Sequence, residues 1–118
     1  MSTQQIPRDQ WADYLSSFGA ANQTRPVSID LESNELGPQR IVEDQPLLAI
    51  ETEPSSGDEA TIVVVAGDPE GGEPAALTHM VPDASAVWVK ADDEGRVEAL
   101  DIENPDGRTI LQFVKRAA

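Results

Sequence analysis

Two hydrophobic periods divide this chain. Near its start Trp11, Tyr14, Leu15 and Phe18 recur at i, i+3, i+4 and i+7, the spacing that gathers side chains on one face of a helix. The pattern predicts a helix over residues 7–18. Pro7 suits a first helical position, Asp9 complements the positive end of the helix dipole, and Gly19 supplies a stop. A helix of about a dozen residues is marginal in water unless one face is buried. The stripe is therefore expected to be core, packed on something broad and apolar, rather than an exposed docking face. Residues 1–5 are polar and are expected to be disordered.

From Pro26 the period falls to two. Val27, Ile29 and Leu31 alternate with Ser28, Asp30 and Glu32 as a half-buried strand requires. Asn34 to Pro38 reads as a turn, Arg40 to Val42 as a short second strand and Leu47 to Glu53 as a third. The loop Pro54-Ser55-Ser56-Gly57-Asp58 leads to a strand over Thr61–Ala66. The unbroken runs Ile62-Val63-Val64-Val65 and Ala86-Val87-Trp88-Val89 predict strands covered on both faces, near the middle of a sheet. Asp68 to Pro74 reads as a connector, with a functional lid as the less favoured alternative, before a strand over Ala76–Val81 that Pro82 ends. Ala86–Ala91, Arg96–Glu103 and Thr109–Val114 are joined by Asp92-Asp93-Glu94-Gly95 and Asn104-Pro105-Asp106-Gly107, so they form a meander. In the middle strand the parity of Val97 and Ala99 differs from that of Leu100 and Ile102, which predicts a bulge or a change of exposure near Ala99.

These elements define one α+β, mostly β domain over residues 1–118. The N-terminal amphipathic helix packs on a twisted antiparallel sheet or small barrel of about seven strands, spanning residues 26–114. A chain of 118 residues has material for one core.

Charge narrows the partners. The formal net charge is -14, and twenty of the 22 acids lie between Ser28 and Gly107 against Arg40, Lys90 and Arg96. Nucleic acid and anionic membranes both need clustered Lys and Arg, so neither is an expected partner. The acidity reads first as a charged, soluble surface, then as adaptation to high salt, and last as mimicry of a nucleic-acid backbone. No apolar run is long enough to span a bilayer and the N-terminus lacks a signal-peptide pattern, so a cytoplasmic location is expected. Cysteine is absent, which excludes disulfides and thiolate chemistry.

Candidate chemistry is sparse, and no cofactor is expected. His79 is the single histidine, hence the one conventional general base or histidine ligand, yet neither Ser85 nor Ser56 lies in a nucleophile motif that would complete a triad. A locally hydrogen-bonded strand histidine is the favoured reading. Asp92, Asp93, Glu94, Asp101, Glu103 and Asp106 make oxygen-rich turns that suit a hard cation such as calcium. The order is wrong for an EF-hand loop, with Pro105 where an oxygen ligand belongs and Asp106 where Gly is required. Solvated hairpin ends are the favoured reading. Aromatic residues outside the helix are too few for a broad stacking platform for sugars or bases.

Several separated pieces carry a family resemblance: Ile6-Pro7-Arg8 with Trp11, Leu36-Gly37, Pro46-Leu47 with Ile50, Thr78-His79, Asp101-Ile102-Glu103, then Asp106-Gly107 and Phe113. In their order and spacing the chain resembles a family of small bacterial domains of unknown function, of about this length and usually encoded alone. The resemblance implies a free-standing bacterial domain and no activity. The expected function is that of a non-catalytic cytoplasmic interaction or stress-associated module, acting on a protein partner or by self-association. The alternative is a ligand- or divalent-cation-binding β domain using a barrel mouth or the acidic turns. An enzyme centred on His79 comes third.

Overall fold

The computed structural model describes residues 2–54, 60–67 and 77–113. Its elements in chain order are β1 (Ser2–Gln5), a 3-10 turn (Arg8–Gln10), α1 (Trp11–Ala21), β2 (Pro26–Ser33), β3 (Gly37–Pro54), β4 (Ala60–Ala66), β5 (Leu77–Val81), β6 (Ala86–Ala91), β7 (Val97–Asn104) and β8 (Gly107–Phe113). The eight strands form one antiparallel sheet in the order β1-β6-β7-β8-β2-β3-β4-β5. The loop Asp68 to Pro74 and the turn Ser55 to Asp58 lie outside the described residues, as does Val114.

The helix begins later and runs further than its sequence pattern predicts. Pro7 stands before the 3-10 turn with ψ 143°, and α1 continues through Gly19 to Ala21. Gly19 is thus no stop. A Cβ there would lie 3.1 Å from both the Cγ2 and the backbone nitrogen of Ile50, so the glycine lets the helix approach β3 closely. Trp11, Leu15 and Phe18 are buried against the inner face of the sheet, and Tyr14 packs partly buried beside them. Phe18 meets the edge of Phe113 at 5.3 Å between centroids. The inner face itself is built from Val27, Ile29, Leu47, Ile50, Ile62, Val64, Leu100, Ile102 and Leu111, each at most 1% exposed. At about 1.5–3 kcal/mol for each large apolar side chain buried, this face supplies the main drive to fold.

Residues 2–5 are not disordered. They pair with β6, Ser2 opposite Ala91 and Gln5 opposite Trp88, and the Ile6 N–H extends the ladder to the Val87 carbonyl at 2.9 Å. The cause is an edge: β6 offers unpaired backbone groups that need partners, and a strand whose four side chains are all exposed can be wholly polar. The sheet does not close into a barrel: β1 and β5 are its two terminal strands and do not pair with one another.

The predicted second and third strands are one. β3 runs for 18 residues, pairing with β2 through Pro46 and with β4 from Leu47 onward. Asp44, at φ 49°, marks the irregularity between the halves. Pro46 falls where the strand passes from one partner to the next, a position that tolerates a missing N–H. The runs in β4 and β6 do not lie mid-sheet either, since each is second from an edge. In β4 Ile62, Val64 and Ala66 are buried, while Thr61, Val63 and Val65 are partly exposed. Their β-branched character reflects strand preference rather than cover on both faces.

A groove on the outer face

A bulge decides which residues share the outer face of the β6-β7-β8 meander. Lys90 opposes Ala99 but Ala91 opposes Val97, so Glu98 is an extra residue in β7, next to the parity change seen in the sequence. Beyond it Leu100 and Ile102 point inward and are fully buried, whereas Asp101 faces outward, directly opposite Trp88. Without that one-residue shift Trp88 would oppose Leu100, and Asp101 would point into the core.

Trp88, Asp101, Ile110, Asp30 and Arg40 therefore lie in one cross-strand row over β6, β7, β8, β2 and β3. At the β2 end its charges are paired. Arg40 donates from Nε to Asp30 Oδ1 at 2.8 Å, and Gln112 Nε2 donates to Asp30 Oδ2 at 2.9 Å. Arg108 reaches Asp101 Oδ2 at 3.2 Å and Glu32 at 3.6 Å. Between Trp88 and Ile110 the face sinks into a groove of about 730 Å³, rimmed by Thr3, Lys90, Glu98 and Gln112. Its size is that of a small-molecule site.

Two polar atoms break the pairing pattern. Trp88 Nε1 and Asp101 Oδ1 are shielded from solvent and have no hydrogen-bond partner, the two such side-chain atoms among the described residues. They belong to residues that face one another across the β6-β7 ladder, one a donor and the other an acceptor. Burial holds the Asp101 carboxyl above the usual carboxylate range; Arg108 opposes that shift, while Glu103 and Glu32 add to it.

The residues singled out in the sequence are scattered. His79 is partly buried on β5, its Nε2 lies 3.4 Å from Thr109 Oγ1, and burial lowers its pKa from the ordinary histidine value. No hydrogen bond or ion pair joins it to a carboxylate among the described residues. Ser85 is occupied elsewhere, its Oγ donating to the Glu103 carbonyl at 3.1 Å, and Ser56 lies outside the described residues. The six acids do not converge. Asp92, Asp93 and Glu94 form the β6-β7 turn, while Glu103 and Asp106 lie at the opposite end of β7 and Asp101 sits along it. Asp92 Oδ1 accepts from the Glu94 and Arg96 amides, each at 2.9 Å, which stabilises the turn itself. Among the described residues no three His, Asp or Glu side chains are placed to hold a metal ion. Of the six, only Asp101 and Glu103 line the groove.

Sequence reasoning missed Trp88 because its run reads as buried strand. The usable signal was the parity change near Ala99, which fixes what opposes it.

The chain belongs to a family of unknown function, DUF5335, whose model matches residues 2–118. No curated protein and no solved structure matches it. Among the described residues no helix is long and apolar enough to cross a membrane.

Proposed function

We propose that this member of the family is a non-catalytic binding domain that takes a small ligand in the outer-face groove of β6, β7 and β8. One observation carries the reading: Trp88 and Asp101, directly opposed on neighbouring strands in the wall of that groove, hold a buried donor and a buried acceptor that are both unpaired. Leaving such groups unpaired costs about 1–3 kcal/mol each, a cost that a bound ligand recovers. The barrel mouth and the acidic turns give way to the sheet face as the site. The test is direct, because the protein has two indoles in different surroundings. In a nitrogen-edited NMR spectrum, a small-molecule library should shift the Trp88 Nε1–H signal and leave that of Trp11 in place. Ligands that move neither indole, or only Trp11, count against the groove.

A second reading has its own observation. Leu77 and Met80 are 42% and 52% exposed on β5, an edge strand among the described residues and one with no charged side chain. That edge suits self-association by strand addition. A sedimentation series that stays monomeric up to millimolar protein would remove it.

A further inference from the structure

We infer that the groove takes a neutral, polyhydroxylated small molecule, a polyol or sugar, with one hydroxyl seated between Trp88 Nε1 and Asp101 Oδ1; this rests on the groove reading above. The argument is one of matching. The indole N–H can only donate, and an ionised carboxylate oxygen can only accept. An anion would satisfy the indole and repel the carboxylate. An ammonium or guanidinium group would satisfy the carboxylate and leave the indole unpaired. A hydroxyl does both through a single oxygen, which suits two residues directly opposed on neighbouring strands, with Cβ atoms about 4.5–5.5 Å apart. A trans amide also donates and accepts, but from two atoms that point in opposite directions. The surroundings favour a neutral molecule, because the other oxygen of Asp101 already holds Arg108 and Asp30 already holds Arg40. The rim mixes donors and acceptors, with Thr3, Lys90 and Gln112 against Glu98 and Glu103, as a ligand with several hydroxyls requires. Trp88 and Ile110 supply apolar wall for its C–H surface. Both key atoms are shut off from solvent, so seating the hydroxyl requires side chains of the groove wall to shift. One indole wall with a donor–acceptor pair does not need the broad aromatic platform that this sequence lacks.

The experiment titrates the intact chain, followed by NMR, with four sets of probes: glycerol, inositol, glucose and maltose; acetamide and a dipeptide amide; tetramethylammonium and guanidinium; and inorganic phosphate. The expected result is a saturable shift of the Trp88 indole signal with the hydroxylated set, while the Trp11 indole stays still and reports an intact fold. In Trp88→Phe, read from the Asp101 and Ile110 amides, affinity for the best probe should fall about two- to tenfold, as loss of one neutral hydrogen bond implies. In Asp101→Asn it should fall on the order of tenfold or more, because the lost bond is to a charged acceptor. Saturable shifts with the amide, cationic or phosphate sets and none with the hydroxylated set would overturn the hydroxyl inference and leave the groove standing. Shifts with no probe at all would overturn both.

Discussion

The two tryptophans of this chain are placed by opposite rules. Trp11 sits in the seam between helix and sheet, 3% exposed, and its Nε1 donates to the Ile6 carbonyl at 2.8 Å. Trp88 stands in the wall of the outer groove with its Nε1 buried and unpaired. In the seam every group serves packing, and the one polar atom has a partner supplied by a residue only five positions away. In the groove the Trp88 ring is only partly buried and polar satisfaction is incomplete. The comparison separates a region built for stability from one that carries a local cost, which is how a binding surface differs from a core.

The largest expected effect breaks the comparison at its strongest side. Trp11→Ala should cost about 3–5 kcal/mol in chemical denaturation, because the whole ring leaves a cavity that α1 and β3 cannot close. Trp88→Ala should cost less than half as much, and equal losses would erase the distinction between seam and groove. A smaller change sharpens it through sign. Trp11→Phe removes a satisfied hydrogen bond and strands the Ile6 carbonyl, so stability should fall by about 1–3 kcal/mol. Trp88→Phe removes a donor that has no partner, so stability should hold or rise slightly.

Dependence on pH gives smaller effects. Folding raises the Asp101 pKa through burial, so the folded state holds that proton more tightly than the unfolded state. Its contribution is present below the unfolded carboxylate pKa and is lost as pH rises through the folded value. Asp101→Asn should therefore gain on the wild type as pH climbs through that acidic window, measured as the difference between two urea midpoints. His79 behaves in the reverse sense, because burial lowers its pKa. Its contribution is present above the unfolded histidine pKa, about 6.5, and is lost as pH falls from there through the folded value. His79→Gln should flatten the wild-type decline in that window, and a His79→Gln curve parallel to the wild type would show that the ring is not held neutral by its surroundings.

Much of the fold was legible because periodic burial writes itself into sequence. The α1 stripe follows 3.6-residue spacing, and the last three strands are bounded by Asp-Gly and Glu-Gly turns, so helix and meander are legible in the pattern alone. Where the burial signal is silent, reading failed. The β1 residues Ser2, Thr3, Gln4 and Gln5 are exposed on an edge and carry no period to detect. β3 looked like two strands because Glu43, Asp44, Gln45 and Pro46 interrupt its pattern where it changes partners. Gly19 looked like a helix stop because sequence cannot show that Ile50 lies against it. The groove was legible only in part. Asp101 and Glu103 were singled out, for a cation role, but Trp88 was not, because facing Asp101 is a property of register. A single bulged residue sets that register.

The pairing of β1 with β6, and of β2 with β8, joins the first third of the chain to its last third. Such contacts give a high contact order, and the entropy of closing these long loops must be met before the pairings return any stability. Folding is therefore expected to be slow for a chain of this size. On the ribosome, Ser2–Gln5 must wait for Ala86–Ala91 and the β8-facing edge of β2 for Gly107–Phe113, while β2 pairs early with β3. Those backbone edges stay unpaired longest, and they are the part of the nascent chain with most to gain from a chaperone.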